Sequence, residues 1–155
     1  MGSSVTTVLD TSNQLYNNYD FRKLFVYDNE YSEYTFKNNT GASATFEAGL
    51  LLAKDNSDNT LVPLDASNTT NASNIPIGIL AQDLGTAIAN GGTQANVSFC
   101  FKGHVARNMI IFQDSVNDDF DSVITQANGR TIEDLLLVQN IKAVESVDLT
   151  DFDNS

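Results

Sequence analysis

Ile75 to Phe112, IPIGILAQDLGTAIANGGTQANVSFCFKGHVARNMIIF, is the stretch on which the reading of the fold turns. It opens with an apolar run, Ile75 to Ala81, interrupted only by Pro76 and Gly78. A span containing Gly85 and the Asn90-Gly91-Gly92 turn follows and reads as a flexible connection. Gln94 to His104 then alternates, with Val97, Phe99 and Phe101 on one side and Ser98, Cys100 and Lys102 on the other. A period of two predicts a half-buried strand, because successive side chains of extended backbone point to opposite faces. Gly103 breaks the pattern as a glycine does at a bulge or bend. Two buried strands around a glycine-containing connection predict a β-rich core.

Outward from this centre, Ala44 to Ala53, ATFEAGLLLA, reads as a strand with Gly49 as a bulge or close-packing point. The cluster Asp55-Asn56-Ser57-Asp58-Asn59 is a hairpin turn leading into a short strand, Thr60 to Leu64. It lacks the glycine and distal glutamate of an EF-hand calcium loop. Asn38-Asn39-Thr40-Gly41 is a turn, and Ala66 to Asn74 a polar surface loop. Asp114 to Asp121, DSVNDDFD, reads as a solvated acidic loop. Thr131 is placed to cap a helix whose first turn carries Glu133 and Asp134, acids that favour the positive helix end. Ile132, Leu135 and Leu136 form its apolar face, Leu137 and Val138 widen it, and Gln139-Asn140 ends it. Ile141 to Val147 alternates again and predicts a last strand.

The ends differ from the middle. Residues 1–18 are polar apart from Val5, Thr6, Thr7, Val8 and Leu9, β-branched residues suited to adding a strand to another protein's sheet. They predict a mobile arm, followed by one β-rich domain over 19–147 and an acidic tail over 148–155. Tyr19 to Phe36 is the most aromatic segment, with Phe21, Leu24, Phe25, Tyr27, Tyr31 and Tyr34 between its ends. Such a segment must bury itself against its own domain or a neighbour.

Composition narrows function. Twenty acids against 8 bases give a formal net charge of −12, which argues against nucleic acid as partner, because binding phosphates needs clustered Lys and Arg. The charge suits a soluble surface or one facing a basic partner. Hydrophobic residues make up 41% of the chain, enough for a real core. No apolar run reaches the roughly 18 residues of a membrane span, and no basic-then-apolar leader opens the chain, so neither membrane nor secretion signal is expected. The single cysteine, Cys100, permits no internal disulfide or zinc site, and no cofactor is expected. One histidine, His104, stands without a second, and Asp118-Asp119 and Glu133-Asp134 fall where acids serve loops and helix starts. No enzymatic motif emerges; a small hydrolase built on Asp118, Asp119 or His104 is the weakest of three readings.

The order LLLAKD, polar turn, LVPLD, Asn/Ser/Thr-rich loop, PIGILA, VSFCFKGHV resembles the head-decoration proteins of tailed bacteriophages, the group that includes that of phage lambda. The resemblance runs from about Gly41 to Phe112, and its anchors are Pro76, Gly78, Ile79 and Leu80 with Phe99, Phe101, Lys102 and Gly103. It implies a compact, β-tulip-like domain with one short helix near the C-terminus, assembling as a homotrimer. It further implies a capsid-stabilising cement protein, made in the bacterial cytoplasm and bound outside the expanded head. There it would clamp neighbouring major capsid subunits, its N-terminal arm pairing with capsid strands. The rival reading is a binding module of a spike, fibre or surface, with carbohydrate stacked on Tyr19, Phe21, Tyr27, Tyr31 and Tyr34.

Overall fold

A computed structural model describes residues 24–145; the arm residues Val5 to Leu9, the aromatics Tyr19 and Phe21, and the acidic tail lie outside them. The structure is mainly β. In chain order its strands are β1 (Phe25–Lys37), β2 (Ala44–Phe46), β3 (Leu51–Asp55), β4 (Thr60–Pro63), β5 (Pro76–Leu80), β6 (Leu84–Ile88), β7 (Thr93–Ala106), β8 (Val123–Ile124) and β9 (Arg130–Thr131). A short helix, α1 (Ile132–Val138), and a last strand, β10 (Ile141–Val144), follow.

The main sheet runs β1-β4-β3-β5-β7-β10, and β1 also pairs with β7, so five strands close into a barrel-like ring. β7 makes this possible by its length. Fourteen residues at roughly 3.3 Å each are enough to serve two neighbours on one edge. Phe99 and Cys100 pair with β5, whereas Gly103 to Ala106 pair in parallel with β10. Its other edge runs antiparallel to β1 from Phe25↔Val105 to Lys37↔Thr93. The ring closes at one parallel pair, Phe36↔Leu61.

Both faces of this ring are covered, which explains the unbroken apolar runs. Leu51, Ala53, Val62, Ile79, Cys100 and Val105 pack with Phe25, Ile141 and α1 residues Ile132, Leu135 and Leu136. Leu50, Leu52, Leu61, Leu80, Val97 and Phe99 pack with Phe36 and with Phe46, Leu84 and Ile88 from the separate β2–β6 pair. A strand buried on two sides loses the polar half of its alternation. Full burial of each such leucine or isoleucine contributes about 1.5–3 kcal/mol before chain entropy is counted.

Several expectations need correction. Ala44–Ala53 is two strands, parted at Gly49, whose φ of +106° and approach to the Met109 carbonyl leave no room for a side chain. The connection read as flexible contains β6, held by Ala44↔Ile88 and Phe46↔Leu84. β7 is buried on both sides at Phe99 and Cys100 rather than half-buried, and Phe101 is 37% exposed despite sharing the parity of Phe99. The reason is a register shift: Glu30 faces Lys102 but Tyr31 faces Cys100, so Phe101 is the extra residue of a bulge. Leu137 and Val138 are 51% and 58% exposed, so α1 buries a narrower face than its composition suggests. In the polar loop after β4, Ser73 and Asn74 are buried, and in the acidic segment Asp118 is buried where its carboxylate accepts the Ala66 N–H at 3.0 Å.

The capping expectation holds in atomic detail. Thr131 Oγ1 accepts the Asp134 N–H, the Asp134 carboxylate answers to the Thr131 N–H, and Asn140 leaves the helix at φ +63°. The β3–β4 turn is likewise built by its acids, since Asp55 and Asp58 accept from Ser57 and Thr60 two residues on.

Those same acids seal the ring. Lys37, the last residue of β1, donates to Asp55 at 3.0 Å and to Asp58 at 2.6 Å. The hydrogen bond to Lys37 pulls Asp58 down to about 2, and bonds from Ser57 hold Asp55 below its ordinary value. Depressed carboxylates add stability that is complete above their unfolded values and is lost as pH falls from about 4 through about 2. Asp58 is partly solvated, so its share is modest. Asp118 works the other way, raised by burial. Urea midpoints are expected to fall between pH 5 and pH 2, with a shallower fall for Asp58→Asn, which starts lower at pH 7. An unchanged slope in that variant would remove the clamp from the account.

Candidate functional site

The described part of the aromatic segment is β1 itself, and it is the least buried strand of the ring. Only its ends, Phe25 and Phe36, are buried; Val26 to Thr35 is exposed save for the half-buried Asn29 and Ser32. Tyr27 is 61% and Tyr34 40% exposed, so of the two expected ways of burial the described part of the segment does not take the first, against its own domain. Its rings are nonetheless held. Tyr27 stacks on His104 at 4.2 Å between centroids, and Tyr34 meets Phe99 edge-on at 5.6 Å with the Lys54 amine 5.1 Å from its centroid. Phe101 tilts against Phe99 at 6.2 Å. Tyr31 packs edge-on to Phe25, and burial pushes its hydroxyl up to about 12.

The backbone beneath these rings is irregular. Four register shifts interrupt the β1–β7 pairing, and Asp28 and Asn96 take positive φ, conformations Asp and Asn tolerate best. Opposite Gly103, β1 spends two residues, Asp28 and Asn29, where β7 spends one. The Asn29 amide crosses to the His104 carbonyl at 3.1 Å and to the Cys100 sulfur at 3.5 Å. Asp28, Glu30 and Glu33 project as exposed acids, and Lys102 reaches Glu30 at 3.0 Å.

The residues singled out in the sequence fall into three groups. Pro76, Gly78, Ile79 and Leu80 on β5 meet Phe99 on β7 through Ile79↔Cys100 and Leu80↔Phe99, with Gly78 laid against the Cys100 carbonyl and the Phe99 ring. These are packing residues. Lys102, Phe101 and the neighbourhood of Gly103 belong to the exposed ribbon. Val5, Thr6, Thr7, Val8 and Leu9 lie outside the described residues.

The hydrolase candidates are not brought together. His104 stacks on Tyr27, Asp118 serves the Ala66 N–H, and Asp119 caps its own turn at Asp121 and Ser122. Cys100 is buried, and desolvation raises its thiol, the reverse of an activated nucleophile. Among the described residues no group of three or more His, Cys, Asp or Glu side chains is placed to hold a metal ion. An open polar concavity of about 260 Å³ lies between Asn39, Pro63, Asp65, Asn68, Gln113 and Asp114, with none of these candidates in its wall. What sequence reasoning missed is the exposed β1–β7 pair: the signal was compositional, tyrosines and acids interspersed from Tyr27 to Tyr34.

No protein-family model matches the chain, and no curated protein matches it.

Proposed function

We propose that this chain is a structural capsid-decoration protein, which binds the outside of an expanded tailed-phage head as trimers and clamps neighbouring major capsid subunits. The observation that carries the reading is the placement of the resembling segments. LLLAKD, LVPLD, PIGIL and VSFCFKGHV fold as β3, β4, β5 and β7, which stand side by side in the order β4-β3-β5-β7. The resemblance therefore covers one continuous piece of sheet and not scattered short matches. A β domain preceded by the β-branched stretch Val5 to Leu9 suits pairing with a partner's sheet edge, where main-chain hydrogen bonds supply affinity. Three such segments on one trimer act through effective concentration, so a weak individual contact suffices. Preferential binding to the expanded shell then stabilises it by mass action.

Co-sedimentation with expanded heads stripped of their own decoration protein tests this. The full chain is expected to pellet with the heads, whereas a chain lacking Met1 to Asn18 stays in the supernatant with an unchanged circular dichroism spectrum. Equal binding by both would dispose of the arm as the clamp. A second reading, a carbohydrate-binding surface module, draws support from the exposed rings of Tyr27 and Tyr34. Each ring already has a neighbour, His104 for Tyr27 and Lys54 for Tyr34. Saturation-transfer spectra with a panel of oligosaccharides would decide that reading.

A further inference from the structure

Two concavities meet at Gln113. The polar one, of about 260 Å³, has Asp65 and Asp114 in its wall. Its neighbour, of about 190 Å³, is lined by Thr45 and Phe46 of β2 together with Leu50 and Ile111. The two make one groove, with apolar side chains at one end and a pair of carboxylates at the other. Hydrogen bonds shape its walls. Ile111 lies beside Leu50, donating to the Gly49 carbonyl and accepting from the Leu51 N–H at 2.9 Å each. The Asp118 carboxylate takes the Ala66 N–H at 3.0 Å and ties the acidic segment to the loop that carries Asp65. A groove already shaped by its scaffold loses little freedom when it is filled.

The carboxylates decide what fits. Among the described residues neither Asp65 nor Asp114 has an ion-pair partner, and nor does the exposed Glu47 at the apolar end. A further acid stands close by: burial raises the Asp118 carboxyl, and the like charges of Asp65 and Asp114 add to that rise. The local field is therefore negative, on a molecule already at −12. Phosphate-bearing ligands are repelled, and a second copy of this chain brings the same excess of acids. A bare metal ion does not suit, since among the described residues no group of three or more His, Cys, Asp or Glu is placed to hold one. An arginine or lysine side chain does suit, carrying its own donors on a long apolar stem. An apolar residue near it in the same segment can then settle against Ile111.

We propose that this groove seats an extended segment of another protein, with an arginine or lysine between Asp65 and Asp114 and a nearby apolar residue against Ile111.

The test is a titration of the ¹⁵N-labelled full chain with capped serine peptides that carry one leucine and one arginine, adjacent or separated by a single residue. Replacing the arginine by glutamate, or the leucine by serine, gives the two control peptides. Amide shifts are expected to concentrate at 45–50, 65–68 and 111–114, to weaken on the order of tenfold between low and high salt, and to vanish with the glutamate peptide. The peptide without leucine is expected to bind more weakly than its parent. Asp65→Asn/Asp114→Asn keeps an oxygen to accept the Ser67 and Asn117 N–H groups. It is expected to weaken binding at least about fivefold with the folded spectrum retained. Glu30→Gln/Glu33→Gln removes the same charge from β1 and is expected to leave binding unchanged. Equal loss in the two double variants, equal binding of the arginine and glutamate peptides, indifference to the leucine, or shifts outside the groove would overturn the proposal. So would movement of signals from residues 1–23 as the peptide binds, since that would make the chain's own leader the occupant. Peptide binding in the groove by a chain that ignores phage heads would sink the decoration reading alone; head binding without any peptide effect would sink this one alone.

Discussion

Alanine in place of Gly103 is expected to lower stability by about 3 kcal/mol or more, a fall in melting temperature of roughly 10 °C for a chain of this size. Two causes add. Gly103 sits at φ +131°, where L side chains are strained, and a Cβ there would lie 2.6 Å from Asn29 Nδ2, 2.7 Å from Asn29 Cα and 2.8 Å from the Asp28 carbonyl. Two of those three atoms are backbone, so no side-chain rotation relieves the clash. The β1 bulge must shift instead, taking with it the Asn29 bond to the His104 carbonyl. Gly85 is the control: a Cβ there meets nothing within 4 Å, and Gly85→Ala is expected to change little. Thermal denaturation of the two variants side by side measures the difference. Equal melting temperatures would show that the bulge yields freely.

Phe36→Ala is expected to cost about 3–5 kcal/mol, the range for deleting a fully buried phenylalanine. Phe36 is wholly buried, meets Phe46 edge-on at 4.8 Å, and is the residue through which β1 pairs with β4. Its loss empties the point where the ring closes and removes the ring contact with Phe46 of β2. Chemical denaturation should show a much lower midpoint. Amide exchange should speed up first in β1 and β4, as these lose their shared anchor. A loss below about 1 kcal/mol would mean that the closure depends on Lys37 and its two aspartates rather than on packing.

How far the sequence revealed this molecule depended on whether neighbours in the chain were also neighbours in space. The β3–β4 hairpin and the cap of α1 were readable because the groups that satisfy each other lie two or three residues apart, as with Asp58 and Thr60 or Thr131 and Asp134. The alternation in β7 located the central strand. It did not reveal that Cys100 faces as deep a core as Phe99, because nothing local announces a second covering layer. Asn38 was read as a turn residue, yet it is fully buried and its side chain ties the Ala42 and Ile88 carbonyls at 2.7 Å each. That role depends on β6, fifty residues on. β1 was hidden for a different reason: its bulges break the period of two, so a long strand presents as an aromatic, acidic segment without pattern. The candidate surface was legible only as composition, since exposure of Tyr27 and Tyr34 follows from β4 leaving the side of β1 after a single pair.

Electron microscopy of expanded, undecorated phage heads incubated with the purified full chain tests the central claim most directly. Three-fold density is expected on the outer surface between capsid subunits, into which this β domain fits with its N-terminal side turned to the shell. Bare heads at saturating protein, or density lacking three-fold symmetry, would contradict it.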